Sequence, residues 1–446
     1  MQRPWVSCDG HGQTPGSTSS RPDTHQEHPG ERASSEGDLD RRTLISRFAM
    51  AALGGLLMPS ALAQVAFQPN RRTENVLVFL FLRGGADGLS LVTPYREDEY
   101  FRLRPATKIV APRPGSDLDL DGQFALHPGL VDLIPLYREG DLALIQAVGS
   151  QDQTRSHFEA MATIEQGTST ASGRGAGGWL ARYLNSTRSA ADSPLRAVSF
   201  GDTLPDSLRG SPQATRLNDL DDLRLTSAGA REKEIRKNLE ALYRSSSDEV
   251  AVAGLQTLQV LNQIEQLRSA QAPRTSEAYP NSPLGRGLRD TARLIRASAG
   301  LEVACLDLGG WDTHVVQGTL GGAFEGLARD LGASLAAFAR DLGPEMKKVT
   351  VVVMTEFGRR VYENSGLGTD HGRASIAIVL GQRVQGGRVA GEWPTLAAER
   401  LEEPGDLRVT TDYRSILAEV LTKKFGVSDL SRIFPDFTPS PLGLLA

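Results

Sequence analysis

Cysteine is almost absent from this chain, and its scarcity excludes two kinds of structure. Only Cys8 and Cys305 occur among the 446 residues, and Cys8 lies in a polar N-terminal segment. The one cysteine left in the rest of the chain can build neither a disulfide framework nor a thiolate zinc site. Cys305 lies in the apolar run 301–308, so we expect a buried structural thiol there.

Positive charge is not in excess either. The chain has 49 Lys and Arg against 54 Asp and Glu, a net charge of −5, and its arginines are scattered rather than clustered. Proteins that bind nucleic acid concentrate basic residues in a patch or stripe. We therefore predict no nucleic-acid partner.

The first 63 residues have the composition of an export signal. Residues 1–39 are rich in Gly, Pro, Ser and His without apolar periodicity, which predicts a disordered leader. An arginine pair at 41–42, a weakly apolar stretch at 48–58 and Ala-Leu-Ala at 61–63 then predict a twin-arginine signal peptide over 40–63. The apolar stretch is shorter than the ~20 residues of a membrane span. An amphipathic helix on a membrane surface is the alternative interpretation.

These features predict a chain that is exported and then released. We expect the twin-arginine translocase as a partner during export, a periplasmic or secreted location, and no stable membrane span after cleavage.

Short apolar runs alternate with helical patterns through residues 64–446, which we expect to form a single domain. Predicted strands lie at 75–82, 142–148, 197–200, 302–308, 349–354 and 375–380, and predicted helices at 130–138, 156–165, 288–298, 324–342 and 413–425. This alternation predicts an α/β fold with a mostly parallel central sheet flanked by helices. The charged, leucine-periodic segment 228–270 predicts a helical insertion or cap.

Acidic residues and histidines follow most of the predicted strands, where parallel sheets bind their ligands. The candidates are Asp87, then Arg155 with Ser156 and His157, then Asp312 and His314, then Glu356, and finally Asp370 and His371. Of the seven histidines, three lie in the leader, and three of the other four fall in these segments. Such nitrogen and oxygen donors suit zinc, manganese, iron, magnesium or calcium.

Most of these residues also have a structural interpretation. The alternatives are Asp87 as a turn or cap residue, Ser156 as a helix N-cap with Glu159, Glu356 as an ion-pair partner of Arg359 or Arg360, His127 as a loop cap before Pro128, and Trp311 as a packing residue.

The combined motifs resemble a bacterial family known as domain of unknown function 1501. They are the twin-arginine leader, FLRGGADGLSLVTP, LHPGL, TRSHFEAM, GGWDTH, TEFGR, GTDHG and TTDYRSILAEVL. The family is grouped with the alkaline phosphatase/sulfatase-like superfamily, so the resemblance implies a mostly parallel sheet and a site that usually holds two divalent metals.

The resemblance also implies metal ligands in this sequence. Asp87 looks like the early Asp of that superfamily, and Asp312 with His314 like its Asp-and-His segment. Glu356 stands where a late Asp is expected, and His371 looks like the final His. Alternatively, Asp370 and His371 form the Asp-His pair and the final His is missing. No Cys/Ser-x-Pro-x-Arg signature of sulfatases is present.

Two functions follow from this resemblance. The first is an exported metal-dependent hydrolase of phosphate or sulfate esters, acting on a small-molecule or polysaccharide ester. Ser156 or metal-activated water would attack, His157 would act as base or bind the anion, and Arg83 and Arg155 would hold the ester oxygens. The alternative is a catalytically degenerate relative that binds anionic polysaccharide in the periplasm or at the surface.

Overall fold

The computed structural model describes residues 75–113, 116–170, 177–187, 193–212, 214–221, 231–269 and 278–446. The predicted leader and signal peptide lie outside these residues. Within the described ranges, no helix is both long and apolar enough to cross a membrane.

Eleven strands and ten α-helices are described. The strands are β1 (Val76–Leu82), β2 (Val92–Thr93), β3 (Ala125–Leu126), β4 (Leu142–Gly149), β5 (Ala197–Phe200), β6 (Ala214–Leu217), β7 (Val303–Leu308), β8 (Val349–Thr355), β9 (Ser375–Leu380), β10 (Arg388–Ala390) and β11 (Thr411–Asp412). The helices are α1 (Gly88–Leu91), α2 (Asp98–Leu103), α3 (Ile134–Arg138), α4 (His157–Gln166), α5 (Trp179–Ser186), α6 (Glu232–Arg244), α7 (Glu249–Ser269), α8 (Pro283–Arg296), α9 (Ala323–Leu342) and α10 (Tyr413–Phe425).

The predicted strands and helices are confirmed, with two adjustments caused by proline. The helix expected at 130–138 begins as a 3₁₀ segment, Pro128–Leu133, and becomes α-helical only at α3, because Pro135 lacks the N–H for a hydrogen bond to the preceding turn. Helix α8 starts five residues before 288, since Pro283 fits the first turn and Ser282 caps it.

Nine strands form one sheet in the order β10-β4-β9-β8-β1-β7-β5-β6, with β11 beside β4. All pairs are parallel except those of β9, which runs antiparallel to both β4 and β8. The predicted α/β fold with a mostly parallel sheet is therefore confirmed.

Strand β1 lies at the centre of the sheet and is buried on both faces. Val78 and Leu80 point into the cluster that holds α8 and α9, whereas Phe79 and Phe81 point into the cluster that holds α5 and α10. Burial on both faces explains the uninterrupted apolar run. Leu82 is in register with residues 308 and 355, so β1, β7 and β8 end at the same level.

Two further expectations are confirmed. Segment 228–270 contains α6 and α7, which pack against each other, with Arg236 on α6 forming an ion pair of 3.1 Å with Glu265 on α7. Cys305 is a buried free thiol on β7, and burial raises its pKa.

Candidate metal centre

The candidate centre lies beyond the ends of five neighbouring strands of the sheet, β4, β9, β8, β1 and β7. The carboxyl ends of β4, β7 and β8 lead into the loops that carry His157, Asp312 with His314, and Glu356. Strand β9 is antiparallel to β8, so its amino end lies at this same edge and brings Asp370 and His371 to it. The reversal of β9 explains why these two residues precede a strand when the others follow one.

Three histidine side chains and one carboxylate converge at the centre. Nε2 of His314 lies 2.8 Å from Nε2 of His371, and these atoms lie 3.2 and 3.3 Å from Oδ1 of Asp312. Nε2 of His157 lies 3.5 Å from Oδ2 of the same carboxylate. The rings of His157 and His371 meet edge to face at 4.3 Å.

The other nitrogen of each of these rings is held by an oxygen acceptor. Nδ1 of His157 lies 2.8 Å from Glu356 Oε1, and Nδ1 of His314 lies 2.9 Å from Asp370 Oδ1. Nδ1 of His371 lies 2.8 Å from the main-chain oxygen of Arg155. A carboxylate or carbonyl at Nδ1 places the ring proton there and leaves the Nε2 lone pair facing the centre, as in metal-binding histidines.

This arrangement fits a cation. Nε2 of His314 and Nε2 of His371 lie 2.8 Å apart, so when both rings carry their proton on Nδ1 the facing lone pairs repel unless a shared proton or a metal cation lies between them. Nε2 of His157 is buried and has no hydrogen-bond partner among the described residues. Donor atoms about 3.4 Å apart are expected around a tetrahedral ion with bonds of about 2.1 Å, close to the spacings found here.

Charge in the centre is also suited to a divalent cation. Burial opposes ionisation of Asp312, but the hydrogen bond and charge of Arg359 outweigh it and lower its pKa to about 2. Hydrogen bonds from Asn364 and His314 lower the pKa of Asp370. Burial likewise opposes ionisation of Glu356, yet hydrogen bonds led by that of His157 lower its pKa. Three carboxylates and one guanidinium leave a net charge of −2.

Arg359 fixes the loops around the centre. Its guanidinium is fully buried, lies 2.7 Å from Asp312 Oδ1, and donates to the main-chain oxygens of Gly84, Gly85, Trp311 and Thr369. Glycine is required at position 84, where the loop after β1 passes close to the loop after β7. Its φ is +115°, and a Cβ there would lie 2.6 Å from the nitrogen of Asp312. One arginine thus joins the β1, β7 and β8 loops.

Asp87 lies outside the centre, contrary to the sequence-based ligand assignment. Arg104 donates to both of its carboxylate oxygens at 2.5 and 3.0 Å, and neither side chain of the pair is exposed. Ser90 and Gln317 also donate to Oδ2 of Asp87, at 2.6 and 2.8 Å. The carboxylate is committed to a buried ion pair.

Glu356 and Asp370 lie beside the centre, where each carboxylate binds the Nδ1 of a histidine. They are not among the atoms that converge on Asp312. Glu356 accepts from the nitrogen of Gly84 at 2.8 Å and from Thr355 at 2.9 Å in addition to its contact with His157. The alternative of an ion pair between Glu356 and Arg359 is wrong, because Arg359 pairs with Asp312.

Ser156 is the N-cap residue of α4, although its side chain makes no cap hydrogen bond. In the described part of the chain its hydroxyl has no hydrogen-bond partner. A serine nucleophile needs a neighbouring base or metal to activate it. The geometry therefore does not supply the activation that a nucleophilic Ser156 requires.

The arginines assigned to the ester oxygens are engaged elsewhere. Arg83 pairs with Glu165 at 2.8 Å and Asp307 at 2.9 Å, and Arg155 donates from Nε to Asp406 at 2.7 Å. Arg155 contributes to the centre through its carbonyl, which binds His371 while the residue has a φ of +54°.

Two other structural alternatives are confirmed. His127 caps the following 3₁₀ segment by accepting from the nitrogen of Gly129 at 2.9 Å. Trp311 is fully buried and packs against Phe324.

Sequence reasoning missed three residues that organise the centre: Arg359, Asn364 and Gln317. Asn364 donates to Asp370 Oδ1 at 2.8 Å and to the oxygen of His314 at 3.0 Å. Arg359 is the last residue of TEFGR, Asn364 lies between TEFGR and GTDHG, and Gln317 follows GGWDTH by three residues. These positions do not indicate which partner each side chain contacts.

Fold and site define the chain as a mostly parallel α/β protein with a centre of three histidines and a carboxylate. It belongs to the family described as "Protein of unknown function (DUF1501)", which matches residues 74–434. No curated protein matches the chain.

Two solved structures show distant similarity. A protein of the alkaline phosphatase superfamily from Vibrio parahaemolyticus is 11% identical, with 86% of this chain and 75% of that chain covered and a TM-score of 0.32. A 2-O GAG sulfatase is 10% identical, with 82% and 75% covered and a TM-score of 0.31. At this level of similarity, residue roles do not transfer from these proteins.

Proposed function

We propose that this protein is a metal-dependent hydrolase of phosphate or sulfate esters, with one divalent cation held by His157, His371 and Asp312, whose donor atoms lie within 4.8 Å of one another, and with His314 as a neighbouring donor 2.8 Å from His371. The observation that carries the proposal is the convergence of three Nε2 atoms on one carboxylate while each Nδ1 is bound to an oxygen acceptor. A bound divalent cation supplies a Lewis acid that polarises an ester oxygen and lowers the pKa of water.

The donor set favours zinc among the candidate metals. Magnesium, calcium and manganese prefer sites made of oxygen atoms, whereas imidazole nitrogens suit zinc, iron and later transition metals. One ion per chain is expected rather than the two implied by the resemblance, since Arg104 already occupies the carboxylate of Asp87.

The residues of this chain have the following roles in the proposed reaction. Arg359 keeps Asp312 ionised and aligned, and Glu356 and Asp370 orient their histidines. Arg360 binds the ester anion, because its guanidinium forms no ion pair with a carboxylate among the described residues and donates to Tyr362 and toward the oxygen of His371. Water is the attacking group, since nothing described activates Ser156.

The loops of the centre also expose large apolar side chains. Phe158 follows His157 and is 82% exposed, and Val315 follows His314 and is 71% exposed. Apolar surface beside a charged site favours esters of apolar alcohols. Aryl phosphates and aryl sulfates are therefore suitable first substrates.

The test measures bound metal and turnover together on residues 64–446. We expect about one zinc ion per chain by elemental mass spectrometry and hydrolysis of p-nitrophenyl phosphate or sulfate, as for a one-metal hydrolase. Both should be lost in Asp312→Ala/His371→Ala. Ser156→Ala should retain turnover if water attacks.

Two results would contradict the proposal in different ways. Absence of metal after zinc and manganese are added would remove the metal centre altogether. Metal binding without turnover on any phosphate or sulfate ester would leave a protein that binds its ligand without cleaving it.

We also propose that the twin-arginine route exports the protein to the periplasm or beyond. The proposal rests on the arginine pair and the Ala-Leu-Ala site in the sequence. Arg41→Lys/Arg42→Lys should retain the precursor in the cytoplasm, measured by cell fractionation and immunoblotting. Arg71→Lys/Arg72→Lys is the matched control, because that pair follows the expected cleavage site. Equal export of both variants would contradict the proposal.

A further inference from the structure

A buried hydrogen-bond network lies behind the candidate centre and joins the two loops that carry most of its residues. Oε1 of Gln317 accepts from the hydroxyl of Thr313 at 2.9 Å and from the hydroxyl of Thr369 at 2.7 Å. Thr313 lies between Asp312 and His314, and Thr369 directly precedes the Asp370-His371 pair. A single amide oxygen therefore contacts both loops immediately beside their functional residues.

Asp87 determines which way this amide points. Nε2 of Gln317 donates to Oδ2 of Asp87 at 2.8 Å and to Ser90 at 3.2 Å. An ionised carboxylate accepts hydrogen bonds and cannot donate them, so the amide nitrogen must face Asp87 and the amide oxygen must face the threonines. Arg104 in turn holds Asp87 with two hydrogen bonds.

Main-chain hydrogen bonds join the same two loops. The nitrogen of Gln317 donates to the oxygen of Leu367 at 2.9 Å, and that of Thr369 donates to the oxygen of Thr313 at 3.1 Å. Val316 and Leu367 have φ angles of +48° and +57°, a conformation that is strained for a β-branched or bulky side chain. Such strain persists only where surrounding contacts enforce it.

We propose that Gln317 is a positioning residue of the metal centre, which aligns the Asp312-Thr313-His314 loop with the Thr369-Asp370-His371 loop. The proposal deepens the proposed function and rests on it where metal affinity is concerned. In this proposal the buried Asp87–Arg104 pair acts on the centre indirectly, because Asp87 orients the side-chain amide of Gln317. Loss of an outer partner of this kind typically costs about 10- to 100-fold in metal affinity.

The experiment compares Gln317→Met with Gln146→Met. Gln146 is a matched control because it is also buried and its amide donates to the oxygen of Val92 at 3.1 Å, whereas among the described residues its side chain makes no hydrogen bond to either loop. Two quantities are measured: the Kd for Co²⁺ as a spectroscopic probe, and hydrogen exchange of the Thr369 amide in metal-free protein. Gln317→Met should raise the Kd about 10- to 100-fold and speed the exchange, and Gln146→Met should change neither.

A milder substitution keeps the test decisive if Gln317→Met does not fold. Thr369→Val removes one hydrogen bond to Gln317 with nearly the same shape, and it should change both quantities in the same direction by less. Wild-type values for both quantities in these variants would overturn the proposal. If wild-type protein binds no Co²⁺, the proposed function fails, and the exchange rate in metal-free protein still decides whether Gln317 aligns the loops.

Discussion

Replacing His157 with Asn should remove the bound metal and the turnover together. The sequence assigns His157 to acid–base chemistry or anion binding, whereas the proposed function makes it a ligand, because Glu356 holds its Nδ1 and its buried Nε2 faces Asp312. Loss of a ligand should weaken metal binding by more than the roughly 10- to 100-fold that loss of an outer partner costs. Metal content after dialysis and aryl ester hydrolysis are the measurements.

His127→Asn is the matched control for this variant. His127 is also buried and lies outside the centre. It accepts from the nitrogen of Gly129, a hydrogen bond that an Asn oxygen can replace, and its ring packs against Phe324. We expect this control to retain both metal and turnover. The opposite assignment would hold if His157→Asn kept one ion per chain and lost only turnover, because His157 would then be a base and not a ligand.

The sheet is predictable from the sequence because burial dictates its pattern. A strand covered on both faces, such as β1, must be apolar throughout and so stands out as a continuous run. The short strands β2, β3, β6, β10 and β11 were missed, because segments of two to four residues carry little pattern. The antiparallel direction of β9 is not encoded locally, since it depends on its pairing with β4 and β8.

The candidate centre is predictable only in part. The segments that follow β4 and β7 located His157 and His314, because parallel strands place their carboxyl ends at one edge of a sheet. His371 was selected from its glycine-rich segment, and only the reversal of β9 brings it to the same edge. The same rule selected Asp87, which lies at such an end but faces Arg104, 17 residues further along the chain. Residue type and spacing show which side chains could ligate, and the ion pairs that engage them form only in the folded chain.

Arginine assignments failed for the same reason. Arg83 precedes a glycine-rich turn and was expected to bind an anion, yet Glu165 and Asp307 flank its guanidinium. Neither acid is close to Arg83 in the sequence. Among the described residues Arg83 is paired with carboxylates and Arg360 is not, although Arg360 donates to Tyr362. The two arginines have the same local sequence signature, so only the fold distinguishes them.

Arg104→Met should destabilise the protein severely without removing its metal site. The substitution leaves the carboxylate of Asp87 fully buried without its charged partner, and breaking a buried pair in this way costs about 3–5 kcal/mol. Urea unfolding of metal-free protein at pH 7 measures the loss. Asp87→Asn/Arg104→Met, which removes both charges, should recover a large part of it.

The pH dependence of this stabilisation follows from the carboxylate. Burial opposes ionisation of Asp87, but the charge and hydrogen bonds of Arg104 outweigh it and hold its pKa below the ordinary value of 3.8. A lowered pKa in the folded state stabilises the protein above the unfolded pKa, and this contribution is lost as pH falls through the folded value. In Arg104→Met the same burial acts without the arginine and raises the pKa of Asp87. The difference in stability between wild type and Arg104→Met should therefore be largest above that raised pKa, begin to shrink as pH falls through it, at a pH above the ordinary value of about 4, and vanish below the lowered pKa of the wild type.

Metal content decides between the two assignments of Asp87. If Asp87 is a structural partner of Arg104, Asp87→Asn that remains folded should still bind one ion per chain at saturating metal, with at most a weaker affinity through Gln317. If Asp87 is a ligand, as the resemblance implied, the same variant should lose an ion while the protein stays folded. A folded Asp87→Asn protein with less metal than wild type would therefore restore the sequence-based assignment and contradict the geometry.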